Sequence, residues 1–343
     1  MINSYAYSRV IVTGGAGFIG SHFIEHLLKD TFVQEVIVLD RLNNAGDLHR
    51  LPVMDCWAAE KHRVRYVWHD LKAGFSDALL RRIGNVDAIF HFAAGSHVDN
   101  SIKDPMSFVM DNVVGTTNLL EAARKILHPE GIFLNFGTDE QFGPSESDEP
   151  FTEQSRWRPA NPYSASKCGQ SSMAHAYYKT FGVPVVQTFC MNVIGARQHV
   201  EKFVPKATRA ILRGETLPIH CLPLSKTDPM QVEIGRRTWL YAPNVASAVT
   251  HLWHIAKPGD YYNIHEPNEF NNLEIAQKIA SILGKELKHE LVSGESVRPG
   301  YDVRYNISGD KLAATGWKPP VGFEEALKQT VLWSAEHKEW LGL

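Results

Sequence analysis

The chain has 343 residues, 44% of them apolar, and a formal net charge of -3. That length leaves room for a large α/β domain and a smaller second lobe. The nearly balanced charge gives no bias toward nucleic acid or membrane surfaces, and no apolar run approaches the roughly 18 residues of a membrane span.

Residues 1–8 lack the basic start and apolar core of a secretory signal. Cys56, Cys168, Cys190 and Cys221 form neither a C-x-x-C pair nor a disulfide framework. A cytoplasmic location is the expectation. Residues 10–12 form a β-branched strand that ends in Gly14, Gly15, Gly17 and Gly20. A helix follows, with Phe23, Ile24, Leu27 and Leu28 at helical spacing. Strand, glycine turn and helix aim free backbone N–H groups and a positive helix end at a diphosphate. His22 and His26 on this helix lack the H-E-x-x-H context of a metal site and read as a solvated face. Residues 35–40 form the second strand. It ends in Asp40, about twenty residues past Gly20, where a carboxylate accepts from ribose hydroxyls. That carboxylate favours NAD over NADP, although Arg41 beside it is the kind of cation that serves a 2′-phosphate.

Residues 41–63 are polar and irregular. A third strand, 65–70, ends in Asp70-Leu71, a pair suited to bracket an adenine. The fourth, 86–94, ends in Ala93 and Ala94, small enough for a cofactor to lie against the backbone. A helix is predicted over 105–127 and a fifth strand over 132–136, delivering Gly137-Thr-Asp-Glu140 at its carboxyl end, the edge where open α/β sheets bind ligands. A surface loop spans 144–162, a helix 162–181 and a sixth strand 183–189. Beyond Asn192 the rhythm weakens: a helix at 204–212, an irregular stretch at 220–234, and a helix at 245–255 that returns to the main body. Further helices lie at 273–283 and 323–340, with Arg298-Pro-Gly300 in a turn between them. Repeated βα units imply a parallel, doubly wound sheet. The domain reading is a dinucleotide domain over 1–190 plus about 236–260, and a discontinuous second lobe over 191–235 and 261–343.

Tyr163 and Lys167 lie four residues apart on a predicted helix and so share a face. A nearby ammonium lowers a phenol's pKa and makes Tyr163 a usable acid/base. Asp139 and Glu140 are the more discriminating feature, because moving a hydride needs only one acid/base. Side chains alternate along extended backbone, so the two carboxyls diverge and can hold different protonation states.

The glycine turn, Asp40 and the Tyr163–Lys167 pair resemble the extended short-chain dehydrogenase/reductases. Ser96-His-Val-Asp99 with Ser101-Ile102, Thr138-Asp-Glu140, Asn161-Pro-Tyr-Ser-Ala-Ser-Lys167, Arg237 ahead of Trp239-Leu-Tyr241, and Arg298-Pro-Gly300 resemble its nucleotide-sugar 4,6-dehydratases, most closely the dTDP-glucose 4,6-dehydratase type. The resemblance implies a Rossmann-type sheet with a substrate-binding lobe. It implies catalysis by Thr138, Asp139, Glu140, Tyr163 and Lys167. It implies NAD held by Gly14, Gly17, Phe18, Ile19, Gly20, Asp40, Arg41, Leu42, Asn43, Asp70, Leu71, Phe92, Ala93, Ala94, Ser96, Tyr163, Lys167 and Asn192. The nucleotide sugar falls to Ser96, Thr138, Asn192, Lys202, Arg237, Asn272, Arg298 and Tyr301, and no metal is implied. A homodimer through a four-helix bundle of the 105–127 and 162–181 helices is also implied, with Met173, Ala176 and Tyr177 as candidate contacts. The chain departs from the pattern at Gly95, Asn100, Gln141-Phe142, His220, Thr238 and Tyr301. A related 4-epimerase or uronate decarboxylase, or a non-catalytic NAD-binding regulator, are the alternative readings.

Overall fold

The computed structural model describes residues 8–43, 45–223, 232–293 and 303–343. Arg298 and Tyr301 lie outside them. The body is a seven-stranded sheet of β1 (Arg9–Thr13), β2 (Glu35–Asp40), β3 (Val64–Trp68), β4 (Val86–His91), β5 (Leu127–Thr138), β6 (Val185–Cys190) and β11 (Tyr261–Ile264). Its order is β11-β6-β5-β4-β1-β2-β3, with every pairing parallel. The order reverses between β1 and β4, which opens a crevice at their carboxyl ends.

Alternation along the strands explains the layers. Val10, Val12, Val36, Val38 and Phe90 pack under the Phe18–Asp30 and Ala242–Ile255 helices. Ile11, Ile37, Leu39 and Ile89 face the other way, under the Asp77–Ile83, Gly115–Ile126 and Pro162–Phe181 helices. A strand buried on both faces reads as a continuous apolar run, which is why these strands were visible in sequence.

The second lobe has its own core of Ile194, Val204, Ile211, Ile219, Trp239, Ile275, Ile279, Leu327 and Val331. It holds two small sheets. In one, β10 (Arg236–Tyr241) lies between β7 (Asn192–Ile194) and β12 (Glu269–Asn271). In the other, β8 (Leu217–Pro223) lies between β9 (Val232–Ile234) and β13 (His289–Ser293).

Several expectations are corrected. The predicted 105–127 helix is a helical turn at Pro105–Phe108, a π-helical stretch at Val109–Val114 and an α-helix at Gly115–Ile126. The stretch 220–234 is strand where it is described, Cys221 opposing Ile234 in an antiparallel pair. The return to the main body extends through β11, whereas β10 belongs to a small sheet. His22 is not on a solvated face. It is 6% exposed, bonded to the Ala196 carbonyl and to Arg197, and burial and the Arg197 charge push its pKa down to about 3. His26 pairs instead with Asp30, at 2.8 Å. All four cysteines are free. Among the described residues no helix is long and apolar enough to cross a membrane, and no His/Cys/Asp/Glu cluster could hold a metal.

Candidate active site

The glycine turn after β1 is closed by backbone bonds from Gly14 N to Leu39 O and from Gly17 N to Gly14 O, each 2.9 Å. Gly14 has φ +67, and a Cβ there would lie 2.7 Å from Ala93 N. A Cβ on Gly20 would lie 2.3 Å from Gly14 O. The turn therefore brings β1 and β4 backbone together just ahead of the helix that Phe18 and Ile19 open. Asp40, 8% exposed at the end of β2, accepts from Ala16 N at 3.1 Å and from Leu42 N at 2.9 Å. Leu42 takes a positive φ of 55. Asn43 accepts from Gly46 N through its carbonyl.

Arg41 lies against carboxylates: its guanidinium donates to both Asp111 oxygens, at 2.8 and 2.7 Å, and to Asp70 at 3.3 Å. Leu71 is buried and its carbonyl accepts from Asn118. Beyond β4, Phe92 packs between Phe23 and Phe136, Ala93 N donates to Thr13 Oγ1, and Ala94 and Ser96 are exposed. A crevice with a glycine-lined helix N-terminus, a buried carboxylate at the second strand and small residues at the fourth fits an adenine dinucleotide.

The acid–base groups gather at the ends of β5 and the Pro162–Phe181 helix. Asn161 caps that helix by accepting from Ser164 N, and Pro162 supplies its first residue. Asp139–Gln141 is a 3-10 turn rather than extended backbone, capped by Thr138. The two carboxyls still part. Asp139 is 3% exposed and accepts from Thr138 Oγ1 at 3.1 Å, whereas Glu140 is half-buried and accepts from Asn161 Nδ2 at 3.1 Å. Burial, then the Glu140 charge, pushes the Asp139 pKa up to about 7, against the Thr138 hydroxyl and Arg237.

Tyr163 is 8% exposed. The expected lowering of its phenol by Lys167 is not what the protein's own groups produce. Burial and the Glu140 charge raise it, and the Thr138 hydroxyl is the group opposing them. Lys167 turns its ammonium to Phe136 O at 2.6 Å and Gln170 Oε1 at 2.7 Å, and burial pushes its pKa down to about 7.

Sequence reasoning missed the frame behind these groups. Gln170 donates to Asn135, Asn135 donates to Gln187 and Ser171, and Gln141 donates to Ser171 while accepting from Thr138 N. Asn135 and Gln187 carried a usable signal, a lone amide inside an apolar strand, because a buried amide must find partners. Ser101 Oγ accepts from Tyr163 N, and Asn112 Nδ2 donates to Ser166 Oγ.

From the second lobe, Lys202 donates to Ser96 O at 3.3 Å, and its charge acts on Glu140. Arg237 acts on Asp139 while donating to Val303 O at 2.7 Å. Both cations thus lie within electrostatic reach of the carboxyl pair. Asn192 opens β7 opposite Trp239 in β10. Asn272 opens the Asn272–Leu283 helix just after β12, its N–H donating to Gly235 O at 3.2 Å.

The family model described as GDP-mannose 4,6-dehydratase matches residues 11–330. The chain belongs to the GDP-mannose 4,6-dehydratase family. Within this family's wider circle, the dTDP-glucose 4,6-dehydratase of Escherichia coli is 33% identical, covering 97% of this chain and 94% of that protein. A trifunctional UDP-glucose 4,6-dehydratase of Arabidopsis thaliana is also 33% identical, over 99% of this chain, which spans 49% of that longer enzyme. The dTDP-glucose 4,6-dehydratase of Streptomyces venezuelae, solved with NAD bound, has a TM-score of 0.85 at 35% identity, covering 97% of this chain and 98% of that one. A UDP-glucose 4-epimerase of Thermus thermophilus, also solved with NAD, has a TM-score of 0.81 at 28% identity, covering 95% and 98%. The fold is therefore shared by dehydratases and epimerases, and the site must separate them.

Proposed function

We propose that the protein is an NAD-dependent nucleotide-sugar 4,6-dehydratase that converts a dTDP- or UDP-glucose-like substrate into the 4-keto-6-deoxy sugar nucleotide. NAD would lie along the glycine turn, with its adenosine ribose on Asp40 and its nicotinamide end toward Tyr163. When bound, it takes a hydride from C4 of the sugar and returns it to C6.

The chain's own groups handle the protons. Tyr163, with the Thr138 hydroxyl favouring its phenolate, removes the 4-hydroxyl proton. The 4-keto group then acidifies the C5 hydrogen, which Glu140 removes as a proton. Asp139 protonates the C6 hydroxyl, which departs as water. Glu140 returns its proton to C5 as C6 is reduced, and the proton gained at Tyr163 balances the one given up by Asp139. Lys202 and Arg237, with Asn192, Asn272, Arg298 and Tyr301, are assigned to the sugar nucleotide. Arg is suited to a diphosphate by its planar fork.

The observation that carries this reading is the split setting of two adjacent carboxyls beside Tyr163, one buried with a pKa near 7 and one half-buried against an amide. A neutral acid and an ionised base are what a water elimination requires, and C4 epimerisation or decarboxylation does not need the pair. In this reading the body built on the seven-stranded sheet holds NAD. Segments 191–241 and 261–343, β11 excepted, hold the nucleotide sugar.

A homodimer would pair the 105–126 and Pro162–Phe181 helices with their copies, where Met106 and Phe181 are 65% and 47% exposed. Ala176 is exposed there and Met173 half-buried, whereas Tyr177 is bonded within the subunit to Glu121. Four free thiols suit a reducing cytoplasm.

The test is a panel of dTDP-, UDP- and GDP-hexoses, with UDP-hexuronate included, each carrying deuterium at C4. The expected product is a 4-keto-6-deoxy sugar with the label at C6. A C4 epimer, or a pentose with carbon dioxide, would refute the assignment.

A further inference from the structure

We propose that Asp111 makes this protein selective for NAD against NADP by occupying the guanidinium of Arg41, a proposal that rests on the NAD assignment above. Arg41 directly follows Asp40 at the end of β2, where a cation accommodates a 2′-phosphate. A free arginine fork there would offer two parallel bonds to that phosphate. The fork is not free. Nη1 and Nη2 bind the two Asp111 oxygens at 2.8 and 2.7 Å, and Nη1 also reaches Asp70 at 3.3 and 3.4 Å. Lys72, a second cation nearby, stands 3.6 Å from Asp70 and 3.9 Å from Asp111. Arg50 also acts on Asp40, with its Nη1 on Ala16 O at 3.1 Å. The cations around Asp40, Asp70 and Asp111 are thus already engaged where a 2′-phosphate would sit.

Asp111 cannot swing aside cheaply. It lies in the π-helical stretch Val109–Val114. Its neighbour Asn112, fully buried, accepts from Gly95 N at 2.7 Å and donates to Gly95 O at 3.2 Å and Ser166 Oγ at 2.8 Å. A phosphate that claimed Arg41 would strip the Asp111 carboxylate, 13% exposed, of both its short guanidinium bonds and set it beside a dianion, with Lys72 at 3.9 Å as the remaining cation described there. Asp111 touches neither ribose nor phosphate in this scheme. It acts through Arg41, as a positioning residue.

The experiment uses the full chain as wild type, Asp111→Ala, Asp111→Asn and the double variant Arg41→Ala/Asp111→Ala. Each is exchanged against equal concentrations of NAD and NADP. The retained nucleotide is identified by chromatography, and melting is followed with either dinucleotide added. The expected result is that wild type retains NAD, and that Asp111→Ala raises the NADP-to-NAD ratio by about tenfold or more, the worth of one or two charge-assisted hydrogen bonds. Asp111→Asn moves the ratio the same way, and the double variant returns to the wild-type ratio. An unchanged ratio in both single variants, or a gain that survives removal of Arg41, would overturn the proposal. If wild type retained and was stabilised by neither dinucleotide, the NAD assignment itself would fall and this proposal with it.

Discussion

Asp139 offers a test in which loss of activity and gain of stability come from one atom. Its carboxyl ionises at 3.8 in the unfolded reference and at about 7 in the fold, because burial and the Glu140 charge disfavour the anion. The native state thus holds a proton that the unfolded chain has lost between those two values, so stability falls as pH rises through this window. A shift of about three units at 1.36 kcal/mol each amounts to about 4 kcal/mol of destabilisation, complete above pH 7 and absent below about pH 4. Asp139→Asn keeps the shape and the acceptor for Thr138 Oγ1 but removes the charge. The variant should be more stable than wild type by up to about 4 kcal/mol at pH 8 and equal to it near pH 4, while losing dehydratase turnover at every pH. Urea denaturation at a series of pH values measures the gap directly. A gap that did not change with pH would refute the buried, proton-holding carboxyl. A stable variant that still released 4-keto-6-deoxy product at the wild-type rate would refute its role as the acid.

Two further substitutions probe the other parts of the machinery. Glu140→Gln removes the base for C5 and should lower kcat by about a hundredfold or more. Oxidation at C4 does not need Glu140, so reduced nicotinamide should build up after substrate is added, as read by its absorbance; a variant that turned over normally with no build-up would exclude this base. Gln141→Leu leaves Thr138 N without its acceptor and removes one of the two amide donors to Ser171 Oγ, at a cost of about 1–3 kcal/mol in denaturant titrations. Because Gln141 ties the turn of Asp139 and Glu140 to the helix of Tyr163 and Lys167, kcat should fall with KM little changed; equal losses in both would mark it as a general structural residue.

Much of the body was legible because physical constraints act locally there. Strands buried on both faces must be apolar runs, so β1, β2, β4 and β6 were found within a few residues of their observed limits, and β2 matched throughout. The Pro162–Phe181 helix carries its own punctuation, with Asn161 and Pro162 at its start and Gly182 at a φ of 69 at its end. The π-helical stretch was not legible, since no pattern of apolar residues distinguishes it from an α-turn. Nor were β7, β9 and β12, three residues each and too short for any period to show.

The active site divides along the same line. Residue types and spacing brought Asp139, Glu140, Tyr163 and Lys167 together, but their environments depend on groups far away in sequence. Alternation along extended backbone was the expected reason for the two carboxyls to part. The actual reason is a 3-10 turn capped by Thr138 and Gln141, with Asn161, 21 residues on, claiming Glu140 and the core claiming Asp139. Likewise the ammonium of Lys167 shares a helix face with Tyr163, as the spacing required. Its direction is set by Phe136 O and Gln170, and its charge by burial. Spacing decides which groups can meet, whereas desolvation and the buried amides decide which of them carries the proton. That is why the sequence yields the list of residues, and the fold sets the surroundings in which each of them sits.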